Sequence, residues 1–124
     1  MKVLDTSVAI DHLRGSESAA NLLVAALEAE EALVASEVVR FELLIGARQG
    51  EMEALEDFSA ALSWIPVTEE VARTAAALAR RHRRSHSGID DMDYLIAAAL
   101  LLDAELLTTN VRHFPMIPEL KAPY

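Results

Sequence analysis

The sequence predicts an α/β protein, a three-layer α/β/α domain around a central parallel sheet of four to five strands. Short apolar runs alternate with longer helical patterns along the whole chain, as in sheets whose strands are joined by helices. The order reads strand, two helices, strand, two helices, strand, two helices, strand, and crossovers of that length suit parallel neighbours. The 124 residues are read as a single domain, 1–124, long enough to bury about two thirds of the unfolded surface.

Each element has a local reason. Lys2 to Asp5 is the opening strand, and Thr6 or Ser7 caps a helix that runs to about Arg14 and stops at Gly15. Glu17 to about Glu30 is a second helix with Leu22, Leu23, Ala26 and Leu27 on one side. Ala32 to Ala35 is a short buried strand. Ser36 caps the helix from Val38 to Gln49, which ends before Gly50. Glu51 to Leu62 is helical, and Ser63 to Val67 is a strand broken by Pro66. Thr68 caps the next helix, whose acidic start and arginine-rich end both suit the helix dipole. After a break at Ser87-Gly88, Ile89 to Leu102 is apolar almost all round, as in a helix packed on several sides. Glu105 to Thr108 is the last strand, followed by Asn110 and a tail punctuated by prolines.

Composition narrows the class. Hydrophobic residues make up 52% of the chain, much of the excess being Ala and Leu, which leaves apolar surface for a partner or for ordinary core. The absence of cysteine excludes disulfides and thiolate metal sites, and fits a reducing cytoplasm. No secretory signal is visible, and the apolar stretch Tyr94 to Leu102 is far short of the ~20 residues that cross a bilayer. A net charge of −9 argues against passive nucleic-acid binding through a basic surface. The basic residues are uneven, however, with Arg80, Arg81, Arg83 and Arg84 crowded beside His82 and His86.

The informative feature is a set of acids in apolar company. At about 100° per residue, Glu42 falls between Val38, Val39 and Ile45, while Glu37, Arg40 and Arg48 point elsewhere. Asp5 ends the run Val3-Leu4, and Asp93 lies among Ile89, Ile96, Ala97 and Leu100. A buried charge costs several kcal/mol unless paired or bound to a metal. Ligands of open parallel sheets gather beyond the carboxyl ends of the strands, where Asp5 stands. Hard oxygen donors without a Cys or His set suit Mg²⁺ or Mn²⁺ rather than Zn²⁺. Each acid also fits a structural role: Asp5 as a helix cap, Glu42 paired with an arginine, and Asp90, Asp91 and Asp93 as complements to a helix N-terminus.

Four segments carry a family resemblance. Leu4-Asp5-Thr6-Ser7, Ser36 to Leu43 with Glu42 in the acidic position, Asp93 to Ala98, and Thr108 to Phe114 resemble, in order, the four motifs of PIN-domain ribonucleases. The small single-domain size is similar to VapC-type toxins of bacterial toxin–antitoxin pairs. The resemblance implies a metal-dependent endoribonuclease in the cytoplasm. It assigns Asp5, Glu42 and Asp93 as catalytic residues and ligands of Mg²⁺ or Mn²⁺, with Thr6, Ser7 and Thr108 as supporting hydrogen-bonders. In-line attack on RNA would leave a 5′-phosphate and a 3′-hydroxyl. It also implies a homodimer held inactive by a small antitoxin. The fourth motif departs from the pattern: many members carry an acid where this chain has the neutral Asn110, which can ligate a cation but adds no charge. Asp90, one turn before Asp93, can compensate for it. Asn110 also motivates an alternative, a catalytically degenerate PIN domain that binds RNA or protein without cutting.

Other features point elsewhere and are set aside. His82 and His86 stand four apart on one helix face like a zinc pair, but the residues between them are Arg83-Arg84-Ser85, a cationic setting that repels metal. The arginines suit either a solvated helix end or a grip on RNA phosphates. Asp5-Thr6 lacks the second aspartate, two residues on, of aspartyl-nucleophile phosphatases, since position 7 is Ser. Trp64, Phe58 and Phe114 read as core.

Overall fold

The computed structural model describes residues 1–82, 88–99 and 103–124. The helical content attributed to Leu100–Leu102, and Arg83, Arg84 and His86, lie outside the described residues.

Among the described residues, four strands and six helices follow one another as the sequence predicts. They are β1 (Lys2–Leu4), α1 (Thr6–Leu13), α2 (Glu17–Glu28), β2 (Leu33–Ser36), α3 (Glu37–Gly46), α4 (Met52–Ala60), β3 (Ser63–Ile65), α5 (Glu69–His82), α6 (Asp91–Ala98) and β4 (Glu105–Leu107). A 3₁₀ turn, Val111–His113, follows β4. The strands form one parallel sheet ordered β3-β2-β1-β4, with Val3 opposite Val34 on one side and Leu106 on the other. The sheet therefore has four strands, the lower of the two numbers expected.

The three layers follow from β1. Successive side chains of a strand point to opposite faces, yet Val3 and Leu4 are both 0% exposed. Both faces of the central strand are therefore covered. All four residues of β2 are buried as well. The main core joins these strands to Val8, Ala9, Leu23, Val38, Val39, Leu43 and Leu55, and Ile96 and Phe114 complete it. Phe58 and Trp64 pack partly buried against it.

Local capping sets the helix starts. The Ser36 hydroxyl accepts from the Val38 N–H at 3.1 Å, and the Thr68 hydroxyl from Val71 at 3.2 Å. Asp90 caps α6 by accepting from Met92 at 2.9 Å, so this helix starts two residues after the expected Ile89. Gly15, with φ +88°, turns the chain out of α1 through a conformation that residues with a Cβ avoid.

The strand order decides where a ligand can sit. From β1 the chain moves one way to β2 and β3, then returns to place β4 on the other flank of β1. The crossovers leaving β1 and arriving at β4 thus diverge, opening a crevice at the carboxyl ends of these two strands. Asp5 directly follows β1, and Thr108 directly follows β4.

Candidate active site

Asp5 is fixed by its neighbours. It occupies the N-cap position of α1 by backbone conformation, but its side chain makes no capping hydrogen bond. Instead its Oδ2 accepts from the Thr108 hydroxyl at 2.6 Å and the Ser7 hydroxyl at 2.8 Å. The helix-cap reading of this side chain therefore fails. The two hydroxyls lie 3.3 Å apart, and Ser7 Oγ also accepts the Thr109 N–H at 3.1 Å. Two segments separated by a hundred residues are thereby locked at the crevice, with Asp5 only 3% exposed.

Glu42 comes in from α3. That helix buries Val38, Val39 and Leu43, and Glu42 lies on the same arc, half-buried. Ile45 does not belong there. It is 70% exposed, because the inward arc is centred near Val39 and Leu43 and the helix turns Ile45 to the outer face with Phe41 and Leu44. Among the described residues Glu42 forms no ion pair with an arginine, so that alternative finds no support there. Arg40 donates to Glu37 at 2.6 Å and stacks on the Trp64 ring at 4.1 Å, and Glu42 Oε1 is buried without a hydrogen-bond partner.

Asp93 enters from the first turn of α6 and is largely buried. His113 Nδ1 stands 3.2 Å from its Oδ2, an ion-pair distance without hydrogen-bond alignment, so that oxygen lacks a hydrogen-bond partner. Burial, opposed by His113 and reinforced by the charges of Asp5 and Asp90, pushes the Asp93 carboxyl up to about 6. Burial is also the main reason the Glu42 carboxyl is raised. Repulsion from Asp5, Asp93 and Asp90 adds to it, and the nearby Thr6 hydroxyl partly offsets it. The three acids therefore feel one another's charge, as acids from distant segments do only when the fold brings them into one region.

Among the described residues, no three acidic or histidine side chains are drawn into a formed metal-ligand cluster. The donor set nonetheless fits a hard divalent ion. All the donors are carboxylate oxygens, two buried ones have no hydrogen-bond partner, and among the described residues the hydrogen bonds of Asp5 all fall on Oδ2.

The remaining expected residues stand around these acids. Thr6 is buried beside Glu42 with its hydroxyl unpartnered. Asp90 is exposed at the cap of α6, where its charge still reaches Glu42 and Asp93. Asn110 is exposed, and its backbone N–H donates to Thr108 Oγ1 at 3.0 Å. His113 is the site residue that sequence reasoning missed. Its only signal was membership of the segment after β4, since its contact with Asp93 is made entirely by the tertiary fold.

A parallel sheet with this crevice and three inward carboxylates, one just after β1 and the others on α3 and α6, defines a class, and comparison with known proteins agrees. The PIN domain family model matches residues 2–119, and the chain belongs to that family. Across its full length it is 58% identical to Ribonuclease VapC19 of Mycobacterium tuberculosis, covering 100% of both chains. It is 42% identical to Ribonuclease VapC10 of the same organism, covering 100% of this chain and 93% of the relative. Among solved structures, a toxin–antitoxin complex from Klebsiella pneumoniae aligns with TM-score 0.79 at 25% identity, covering 100% of this chain and 98% of that one. VapBC2 from Rickettsia felis, bound to a DNA fragment from their promoter, aligns with TM-score 0.83 at 23% identity, covering 98% and 96%. At that identity the second likeness speaks for the fold alone.

Proposed function

We propose that this chain is an endoribonuclease dependent on Mg²⁺ or Mn²⁺ and the toxin of a type II toxin–antitoxin pair, hydrolysing RNA phosphodiester bonds in the cytoplasm. The observation that carries the chemistry is the convergence of Asp5, Glu42 and Asp93 on one crevice, with buried carboxylate oxygens left unpartnered. The full-length match at 58% identity to a protein named a ribonuclease supports the substrate class.

In this reading Asp5, Glu42 and Asp93 hold the cation, with Thr6, Asp90 and Asn110 around it. A divalent ion bound there lowers the pKa of a water and stabilises charge on a phosphate. The protein's own contribution is positioning. Ser7 and Thr108 hold Asp5 through one oxygen and leave the other for the ion. Thr6 sits beside Glu42, and His113 offsets the charge of Asp93. Supporting partners of this kind are worth about 10–100-fold in metal affinity or activity.

The toxin role supports two further contacts, an antitoxin and a second copy of the chain. Beside Glu42 a cavity of about 280 Å³ is walled by Ile10, Leu13, Leu43 and Leu55, and suits an apolar segment of an antitoxin. Phe41, Leu44 and Ile45 leave apolar surface on the outside of α3 for either contact.

The test is RNA cleavage by the purified protein with Mn²⁺ or Mg²⁺, alongside Asp5→Asn and Asp93→Asn. Each substitution is expected to lower turnover on the order of 100-fold or more, and the wild-type cut ends should carry 5′-phosphates. Equal cleavage by all three proteins would trace the activity to a contaminant. Absence of cleavage by the wild type would favour the degenerate binding module.

A further inference from the structure

We propose that His113 is itself a ligand of the divalent ion in the crevice, its Nδ1 binding beside Asp93 and giving the site a preference for a transition-metal ion such as Mn²⁺ over Mg²⁺. This rests on the reading of the crevice as a metal site and adds the nitrogen donor that decides which ion is held.

His113 Nδ1 stands 3.2 Å from Asp93 Oδ2, yet Oδ2 receives no hydrogen bond. Two donors at right angles around an octahedral ion, each about 2.1 Å from it, lie about 3 Å apart. The pair therefore already has the spacing of neighbouring ligands on one ion. Oδ2 is closed to water, but an ion sits about 2.1 Å from an oxygen, nearer than the ~2.8 Å of a water. It can reach such an atom from the side where the imidazole stands. That side meets solvent, since the His113 side chain is 48% exposed.

The backbone holds the ring in place. His113 ends the 3₁₀ turn after β4, and its N–H donates to the Asn110 carbonyl at 2.9 Å. The Asn110 N–H donates in turn to Thr108 Oγ1 at 3.0 Å, and that hydroxyl donates to Asp5 at 2.6 Å. Thr108 and Phe114, on either side of the turn, are both buried. The imidazole is thus braced against the same hydroxyl that fixes Asp5, and its place beside Asp93 belongs to the fold. Asn110 is exposed and neutral, so the group this segment turns towards the acids is His113.

The donor set then selects the ion. Carboxylates suit Mg²⁺ and Mn²⁺ alike, whereas an imidazole nitrogen favours transition metals, and Mg²⁺ keeps to oxygen and water. One nitrogen among three carboxylates tips the balance away from Mg²⁺. Without an ion the imidazole offsets the charge of Asp93. Around an ion the same ring donates its lone pair.

The experiment measures Mn²⁺ and Mg²⁺ binding to the full chain without RNA, by calorimetry, in buffer alkaline enough to keep imidazole side chains neutral. The proteins compared are the wild type, His113→Gln, His113→Ala and Asp5→Asn. The wild type should bind Mn²⁺ more tightly than Mg²⁺. Both His113 variants should lose Mn²⁺ affinity on the order of 10–100-fold and Mg²⁺ affinity by clearly less, drawing the two ions towards equality. Asp5→Asn should weaken both ions together. Pulsed electron paramagnetic resonance of the Mn²⁺-loaded wild type should show a directly bound nitrogen nucleus, lost in His113→Gln. Absence of that nitrogen signal in the wild type would overturn the proposal, as would its survival in His113→Gln. Equal changes for both ions would also overturn it, leaving His113 as a charge partner of Asp93 within a metal site that Asp5→Asn still weakens. A wild type that binds neither ion would sink the metal site and the proposal together.

Discussion

Asp93 carries a conflict that its neighbours relieve only in part. Burial and the charges of Asp5 and Asp90 raise its carboxyl from 3.8 to about 6, against the pull of His113. The folded chain therefore binds this proton more tightly than the unfolded chain does. The resulting stability is fully present below about pH 3.8 and is lost as pH rises through about 6. Asp93→Asn removes the ionising group. In metal-free protein it should raise the melting temperature relative to wild type at about pH 7.5, and the gain should shrink towards about pH 4. Thermal melts in chelator at the two pH values check this, and a variant less stable than wild type at the higher pH would contradict it. Glu42 is raised for the same principal reason, burial, so the crevice as a whole is strained by unneutralised charge. At Asp5 two hydroxyls donate to one carboxylate oxygen and fix the side chain in place.

At the scale of elements, caps rather than propensity fix where the functional helices begin. Helix α3 is ten residues long and delivers Glu42 from its second turn, so its start determines where that carboxylate points. Ser36→Ala removes the oxygen that accepts the Val38 N–H, and should cost about 1 kcal/mol in urea unfolding, with glycine at the same position costing only a few tenths. A variant as stable as wild type would show that packing alone sets the start. This cap was legible in the sequence, as was Thr68 ahead of α5, because both act within a few residues. The start of α6 was misread, since an apolar run beginning at Ile89 looks helical until Asp90 is seen to be the cap. Ile45 was misplaced for a related reason. Periodicity identifies an apolar arc but not which apolar residues the core has room to take, and Phe41, Leu44 and Ile45 are left outside.

For the molecule as a whole, the central strand positions everything else. Leu4 is fully buried, pairs with both neighbouring strands and directly precedes Asp5. Leu4→Ala should cost about 2–5 kcal/mol, read as a lower denaturant midpoint. Val24→Ala, at a site 51% exposed, should stay within about 0.5 kcal/mol of wild type. Equal losses at the two sites would mean that β1 is not the keystone of the core. The sequence by itself determined the alternation of strands and helices, the parallel class of sheet, and the identity of three acids too poorly matched to their surroundings to be ordinary surface residues. Those features are written in periods and turn residues spanning a few positions, and local physics enforces them. Only the tertiary structure decided the order β3-β2-β1-β4, the locking of Ser7 to Thr108 across the crevice and the placing of His113 against Asp93. It also decided which apolar side chains stay exposed. Contacts between segments a hundred residues apart depend on how the whole core closes, and no local pattern records that choice.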